Sequence, residues 1–338
     1  MNEPMQEPVD VKELGALVPR LRGRKVMVVG DLLVDRYVLT EPARLSREAP
    51  VMIARYQAEE LIPGGAANAA SNLLALGAEV IPVGVVGDDA DGDELRSHFD
   101  GLGVDVTGII TDPEHPTISK TRVMVGDPNR MKQQVLRIDR DPDGPPSGGA
   151  QAAVLARIRD RIASVDAVLL SDYGYGAVGA SVLDSVRGIV GDRVLTVDSR
   201  YRITSFRGVT LATPNEGEVA AALGRRLQTM EQLEDAGHEL RSRLEAPALL
   251  VTRGNRGMAL FVEGRDRLDL AATGPSEVTD VSGAGDTVIA VATLALAAGA
   301  DVSDAARLAN IAAGVVVMKA GAATCSPQEL TEAAAAWA

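Results

Sequence analysis

The chain has 338 residues, of which 46% are hydrophobic and 24% charged, and its formal net charge is −13. This composition is typical of a globular enzyme and excludes a disordered or fibrous protein. The negative charge argues against nucleic acid or an anionic membrane as a partner. A single cysteine excludes an intrachain disulfide and a cysteine metal cluster.

The N-terminal segment, residues 1–13, is acidic and lacks the basic start and apolar core of a secretory signal. No uncharged apolar run is long enough to span a bilayer. We therefore expect a cytoplasmic protein.

The first α/β unit is predicted from a helical stretch at 11–21 and a strand at 25–30. The strand is an apolar run that ends in Gly30, which is typical of a central strand buried on both faces. Asp31 and Asp35 follow, at the edge where open α/β sheets bind ligands. These carboxylates could bind sugar hydroxyls, or they could cap a turn.

Two segments, at about 36–60 and 115–140, interrupt the α/β pattern with strand-like periodicity. They predict a small β-sheet that stands off the main domain. This sheet could act as a lid over a ligand site, or it could be a hairpin decoration.

Between these segments, Gly64, Gly65 and Asn68 open a predicted helix. The paired glycines would let a ligand touch the backbone, and the Asn68 amide could both donate and accept hydrogen bonds. Close helix–sheet packing explains the surrounding alanines but not easily the Gly-Gly pair with its asparagine.

From residue 150 onward, predicted helices alternate with strands that each end on a polar residue. This alternation predicts an α/β fold with a doubly wound, mostly parallel sheet flanked by helices, in one domain over residues 1–338. The polar residues at strand ends, or on the turns into helices, are Asp172, Asp198, Asn215, Glu218, Thr252 and Gly254.

Two of these turns have competing interpretations. Asn215 and Glu218 could hold Mg²⁺ through its waters, or they could form a helix cap with glutamate at the third position. The stretch from Thr252 to Gly257, with Arg253 and Gly254, could approach a nucleotide phosphate, or it could be a hairpin turn.

The last motif is Asp280-Val-Ser-Gly-Ala-Gly-Asp-Thr287, followed by a run of small apolar residues. A glycine turn that leads into a helix directs several amides at one point, which favours an anion. Asp286 inside such a site would act as a base for a hydroxyl beside the anion. The alternative is an ordinary loop with Asp286 as helix N-cap.

Two known nucleotide motifs are absent from the sequence. It has no G-x-x-x-x-G-K-[ST] phosphate loop and no G-x-G-x-x-G after the first strand. The second absence disfavours a nucleotide-binding dehydrogenase. A kinase and a catalytically silent sugar-binding protein remain, and the presence of Asp286 with its glycines favours the kinase.

The order of these motifs resembles the ribokinase, or phosphofructokinase-B type, carbohydrate kinases. The segments Arg44–Pro50, Thr117–Arg122 and Leu136–Asp139 most resemble the D-glycero-β-D-manno-heptose 7-phosphate kinases of that family, which phosphorylate the anomeric oxygen. The resemblance implies transfer of the γ-phosphoryl group of ATP to a sugar or sugar-phosphate hydroxyl.

The same resemblance implies a role for each matching residue. Asp286 would be the base, and the amides of Gly283, Ala284 and Gly285 would bind the transferring phosphoryl group. The sugar would contact Asp31, Asp35, Gly64, Gly65, Asn68 and Asp172, with Lys120, Arg122 and Arg137 from the lid. ATP would be bordered by Asp198, Asn215, Glu218, Thr252, Arg253, Gly254, Gly257 and Asn310.

The resemblance further implies two cations and a homodimer. Asn215 and Glu218 would hold Mg²⁺ through water, and Asp280 and Ser282 would hold a monovalent cation such as K⁺. Lids in this family often pair between subunits, so we expect a dimer formed through the lid.

Two departures from the heptose 7-phosphate kinase pattern fall near the expected sugar site. Tyr175 stands where those kinases usually carry lysine, and Ser199-Arg200 replaces Pro-Lys. Arg200 could substitute for one lysine, although a planar guanidinium does not freely replace a point charge. The sequence leaves open whether the acceptor carries a phosphate.

Overall fold

The structure, a computed structural model, describes residues 11–127, 132–274 and 279–336. Residues 1–10, which belong to the segment judged unlike a secretory signal, lie outside this range. The helices are α1 (Val11–Leu21), α2 (Ala66–Ala75), α3 (Ala90–Gly101), α4 (Gly148–Arg161), α5 (Ala180–Ile189), α6 (Glu216–Leu223), α7 (Met230–Arg243), α8 (Ala284–Ala297), α9 (Val302–Val316) and α10 (Pro327–Ala336).

The strands fall into two sheets. They are β1 (Lys25–Gly30), β2 (Leu32–Leu45), β3 (Met52–Gly65), β4 (Glu79–Gly87), β5 (Ile109–Asp112), β6 (Ile118–Val125), β7 (Gln133–Arg140), β8 (Ala167–Asp172), β9 (Val194–Ser199), β10 (Leu211–Ala212), β11 (Ala248–Thr252), β12 (Met258–Val262) and β13 (Leu268–Leu270).

The large sheet confirms the predicted doubly wound, mostly parallel architecture. Its strand order is β13-β12-β11-β10-β9-β8-β1-β4-β5, and only β12 and β13 run antiparallel to their neighbours. The chain winds from β1 out to β5 and then resumes at β8 on the other side of β1. The loops that follow β1 and β8 therefore diverge at the topological switch point, where such sheets form a ligand crevice.

Each face of the large sheet is covered by its own layer of apolar helices. One core cluster joins the sheet to α1, α2, α3, α8, α9 and α10, and the other joins it to α4, α5, α6 and α7. Ten of the 14 residues of α8, from Asp286 to Ala295, are buried, which explains why this helix carries mostly small and apolar side chains. No helix in the described ranges is long and apolar enough to cross a membrane.

The second sheet is the predicted lid sheet, with strand order β3-β2-β6-β7. Its first two strands are much longer than the short strands expected within 36–60, because β2 and β3 each extend over 14 residues. The start of β2 and the end of β3 connect the lid to the main domain. β2 begins two residues after β1, and β3 runs directly into α2. The lid is thus joined to both sides of the switch point.

The stretch from Thr252 to Gly257 forms the hairpin that the sequence offered as one of two interpretations. Thr252 pairs with Met258 in the antiparallel register of β11 and β12. A hairpin turn does not exclude contact with a ligand, because Thr252, Gly254 and Gly257 line a cavity described below.

The packing of α7 on β12 depends on a glycine and generates a testable prediction. A Cβ atom at Gly237 would lie 2.4 Å from Cζ of the buried Phe261. We expect Gly237→Ala to lower the free energy of unfolding by about 1–3 kcal/mol, as overpacking does, although alanine is the better helix former. Urea denaturation measures this change.

The matched control is Gly188→Ala in α5. Gly188 is exposed, and its added Cβ would meet no atom within 4 Å. This substitution should stabilise the protein by about 0.5–1 kcal/mol. If both variants gained stability, the described contact between α7 and β12 would be wrong.

Candidate active site

Asp286 lies in the first turn of α8, at the base of the crevice. The helix is entered through Gly283, whose φ of 75° is left-handed and whose missing Cβ would lie 2.4 Å from the Asn68 amide nitrogen. Gly283 is the N-cap, and no side chain caps this helix. The alternative in which Asp286 is an N-cap is therefore wrong.

The Asp286 carboxylate is 4% exposed and has a hydrogen-bond donor on each oxygen. Asn68 Nδ2 donates to Oδ2 at 2.8 Å, and Tyr173 Oη donates to Oδ1 at 2.7 Å. Burial raises the pKa of Asp286 to about 6, although the bonds from Asn68 and Tyr173 oppose this rise. A carboxylate with such a pKa is suited to accept a proton near neutral pH.

Two cavities meet beside Asp286. The polar cavity has a volume of about 490 Å³ and lies between the lid and the strand ends, and Asp286 is part of its lining. The apolar cavity has a volume of about 440 Å³ and lies between the β11–β12 hairpin, α8 and α9. Thr252, Gly254, Val281 and Gly285 line both cavities.

Most residues singled out in the sequence line one or both cavities. Those in the polar cavity are Asp35, Gly65, Lys120, Arg122, Arg137, Asp172, Asp198, Asn215, Glu218, Thr252, Gly254, Ser282, Gly283, Gly285 and Asp286. Those in the apolar cavity are Thr252, Gly254, Gly257, Ala284, Gly285 and Asn310. Asp31, Gly64, Asn68, Arg253 and Asp280 line neither.

Asp31 forms the turn that the sequence offered as its alternative role. Its carboxylate accepts hydrogen bonds from the backbone amides of Tyr173, Tyr175 and Ala177 at 2.8, 3.1 and 2.9 Å. The side chain is 1% exposed and lies behind the cavity wall. In this structure Asp31 shapes the loop that carries Tyr173, and its contact with a sugar stays a prediction.

Arg253 also points away from the expected ligand. Its Nε donates to Glu216 at 2.9 Å, and Arg256 pairs with the same carboxylate. Arg253 therefore forms an ion pair between the hairpin and α6 in this structure, and its contact with a phosphate stays a prediction.

Gly64, Asn68 and Asp280 support the site from outside the cavities. A Cβ at Gly64 would lie 2.8 Å from the Asp35 carboxylate, so this glycine leaves room for that side chain. The amide of Asn68 is directed at Asp286. Asp280 accepts hydrogen bonds from the backbone amides of Ser282 and Gly321 at 2.9 and 3.0 Å, and it thereby joins two loops at the cavity rim.

Asn215 and Glu218 form the reciprocal helix cap that was the alternative to metal binding. Asn215 Oδ1 accepts a hydrogen bond from the backbone N–H of Glu218 at 2.9 Å. Glu218 Oε2 accepts one from the backbone N–H of Asn215 at 2.8 Å. Burial raises the pKa of Asp198 well above its usual value, and the charge of Glu218 raises it further. The described residues contain no cluster of three or more metal-ligating side chains.

Four cationic side chains line the polar cavity: Lys120, Arg122 and Arg137 from the lid, and Arg200 from the loop after β9. Arg122 pairs with Asp35, and Arg137 pairs with Asp139. Lys120 instead donates to Tyr175 Oη at 3.4 Å, and the Arg200 guanidinium stacks 4.6 Å from the Tyr173 ring. Among the described residues, neither Lys120 nor Arg200 has a carboxylate partner.

Sequence reasoning assigned no role to Tyr173, Thr213 or Arg202. Tyr173 directly follows β8, so its position past a strand end was the signal that could have found it. The Thr213 hydroxyl lines the polar cavity, and it has no hydrogen-bond partner in the described part of the protein. Arg202 and Ser199 hold the buried Asp172 carboxylate, a contact with no local sequence signature.

Comparison with solved structures identifies the fold. The ribokinase of Arabidopsis thaliana, in complex with ribose and ATP, aligns over 93% of this chain and 99% of its own, with a TM-score of 0.69 and 21% identity. Phosphofructokinase-2 of Escherichia coli, in complex with fructose-6-phosphate, has a TM-score of 0.73 at 17% identity.

Curated relatives share more of the sequence. The D-beta-D-heptose 7-phosphate kinase of Bordetella bronchiseptica is 41% identical over 318 residues, which cover 92% of this chain and 96% of that protein. The bifunctional protein HldE of Geobacter metallireducens is 38% identical over 322 residues, or 94% of this chain and 64% of that protein. The chain thus spans less than two thirds of the length of HldE proteins such as this one.

A family model described as "pfkB family carbohydrate kinase" matches residues 24–136 and 197–329. The match includes the first strand, much of the lid and the turn that carries Asp286. The chain therefore belongs to the pfkB family of carbohydrate kinases.

Proposed function

We propose that this protein transfers the γ-phosphoryl group of ATP to a hydroxyl of a sugar phosphate. Our preferred acceptor is a heptose 7-phosphate, the substrate in the name of the Bordetella relative, phosphorylated at its anomeric oxygen. The observation that carries the proposal is the position of Asp286, which is buried where the polar and apolar cavities meet.

In this mechanism the apolar cavity binds the nucleotide base and the polar cavity binds the sugar. Asp286 takes the proton of the attacking hydroxyl while the oxygen of that hydroxyl forms a bond to the γ-phosphorus. The bond between that phosphorus and the bridging oxygen breaks, and ADP leaves. Positioning and electrostatic stabilisation supply most of the rate enhancement in such phosphoryl transfers.

The start of α8 would stabilise the charge on the transferring group. Amides in the first turn of a helix have no partner within that helix, and the helix dipole favours an anion there. The Ala284 amide already donates to the Val281 carbonyl at 3.3 Å, so we assign this role to the amides of Gly285 and Asp286. Gly285 has open space where a Cβ would lie, which leaves room for a phosphate.

The carboxylates opposite Asp286 fit a hydrated Mg²⁺ ion. Asp198 and Glu218 both line the polar cavity, and the negative charge of Glu218 opposes ionisation of Asp198. Oxygen ligands contacted through water are what Mg²⁺ prefers, and the ion would neutralise phosphate charge. The only support for a monovalent cation at Asp280 and Ser282 is that both side chains carry oxygen atoms that could be its ligands. The dependence of the rate on each cation tests both sites.

Substitution of the base is the most direct test of the proposal. Asp286→Asn keeps the shape of the side chain but cannot accept the proton, so turnover should fall by about 10²–10⁴-fold. ATP binding, measured by calorimetry, should persist. The control is Asp184→Asn on the exposed side of α5. Normal turnover by Asp286→Asn would refute the proposed base.

Recognition of the acceptor's own phosphate is assigned to Lys120 and Arg200. Cations without a carboxylate partner can form charge-assisted hydrogen bonds to a phosphate. Lys120→Met and Arg200→Met should each lower kcat/KM for heptose 7-phosphate by about 10–100-fold and should change little with the unphosphorylated heptose. Steady-state kinetics with both acceptors test this assignment. Arg207→Met, a substitution on the surface, is the control. Equal losses on both acceptors would contradict the assignment.

The lid also supports a homodimer, because it exposes a group of large apolar side chains. These are Leu45, Val51, Met52, Tyr56, Val135, Leu136 and Ile138. We expect sedimentation velocity to give a dimer, and we expect Ile138→Glu to give a monomer. Ile189→Glu, at an exposed apolar residue of α5, is the matched control. A monomeric unsubstituted protein would exclude lid pairing.

A further inference from the structure

Two asparagines one helical turn apart, Asn68 and Asn72, are buried on the side of α2 that faces α8. Each is 1% exposed. Asn68 contacts Asp286 directly, whereas Asn72 lines neither cavity and contacts neither proposed substrate site. A buried amide is costly unless its hydrogen bonds are made, so the partners of Asn72 indicate what it does.

The direction of the Asn68 amide is fixed by its neighbours. An ionised carboxylate can only accept hydrogen bonds, so the nitrogen of Asn68 must face Asp286, and its Oδ1 must face away. Asn72 Nδ2 donates to this Oδ1 at 3.2 Å. Asn72 therefore donates a hydrogen bond to the oxygen of the Asn68 amide, which a carboxylate, lacking a proton to donate, cannot do.

The direction of the Asn72 amide is fixed in the same way. Its Nδ2 also donates to the Asn68 backbone carbonyl at 3.0 Å, and a carbonyl only accepts. Its Oδ1 must therefore face α8, where Thr287 Oγ1 donates to it at 3.0 Å; the Gly283 carbonyl, 3.2 Å from the same hydroxyl, is the alternative acceptor for its single proton. Thr287 directly follows Asp286, so the hydrogen bonds form a closed circuit from α8 to α2 and back.

We propose that Asn72 is a positioning residue for the phosphoryl transfer. Together with Thr287 it holds the Asn68 amide in the direction that donates to Asp286, and this bond holds the carboxylate towards the attacking hydroxyl. The inference rests on the proposed function and adds two residues that touch neither substrate.

The circuit matters because the site is buried. If the Asn68 amide turned over, its oxygen would face the Asp286 carboxylate, and a charge-assisted hydrogen bond would become a repulsion in surroundings of low dielectric constant. The other groups that act on Asp286 are Tyr173 after β8, Arg200 after β9, Asp35 in β2 and Asp198 at the end of β9. None of them belongs to the circuit.

The test replaces Asn72 with leucine, which is similar in size and uncharged. With fewer donors holding the ionised form, the pKa of Asp286 should rise by about one to two pH units. Carboxyl ¹³C resonances of aspartate-labelled protein report this pKa without turnover, and Asp286→Asn identifies the resonance. The acid limb of the kcat/KM profile should move to higher pH by the same amount, because the base must be ionised to act.

Ser71→Ala is the control for a change in α2 itself, since among the described residues the Ser71 hydroxyl bonds only to the Ala67 carbonyl of that helix. Its resonance and its pH profile should match those of the unsubstituted protein. A folded Asn72→Leu protein with an unchanged Asp286 pKa would overturn the inference.

A second pair of variants keeps the test valid if Asn72→Leu does not fold. Thr287→Val removes the hydroxyl that donates to Asn72 and should raise the Asp286 pKa, whereas Thr287→Ser keeps the hydroxyl and should not. Identical pKa values for these two variants would count against the circuit. Failure of the proposed function is a separate result, because it would appear as normal turnover by Asp286→Asn.

Discussion

The site depends on one constraint: a carboxylate is buried at the positive end of a largely buried helix. Burial raises the pKa of Asp286 to about 6, and the hydrogen bonds from Asn68 and Tyr173 oppose this rise. Those two donors come from different parts of the chain, one from α2 and one from the loop after β8. The position of the Asp286 carboxylate therefore requires both elements to be packed against α8.

The sheet topology brings these elements together. Strand order reverses between β1 and β8, so the loops after these strands open a crevice directly above α8. Asp31, at the end of β1, binds three amides of the loop after β8 and so fixes Tyr173 over the carboxylate. Asp31, which the sequence suggested as a sugar ligand, is thus part of the framework around Asp286.

Charge is distributed unevenly around the polar cavity. The strand ends contribute carboxylates, and the lid contributes most of the cations, so each side complements a different part of the reactants. In the proposed function, carboxylates at the strand ends would bind sugar hydroxyls and a hydrated cation. Lys120 and Arg200, which have no carboxylate partner among the described residues, would bind an anionic group on the acceptor. Because β2 and β3 lead directly into the base of the crevice, movement of the lid would change the distance between these two sets of charges.

The sequence by itself determined the architecture, the two segments of the lid and the turn that carries Asp286. These features leave local signals, since buried parallel strands are continuous apolar runs and a glycine turn before an apolar helix is a contiguous motif. The helix cap was also predicted from a local pattern. The structure contains the Asn215–Glu218 cap, which was one of the two alternatives offered for these residues. What only the tertiary structure decided was the partner of each polar side chain. Arg253 donates a hydrogen bond to Glu216, and Asp31 accepts one from a loop 142 residues further along the chain. Asn68 donates one to a carboxylate 218 residues further along. The physical reason is that hydrogen bonds between distant segments depend on the packing of α2, α8 and the β8 loop around one another, and no periodicity within any single segment records that packing.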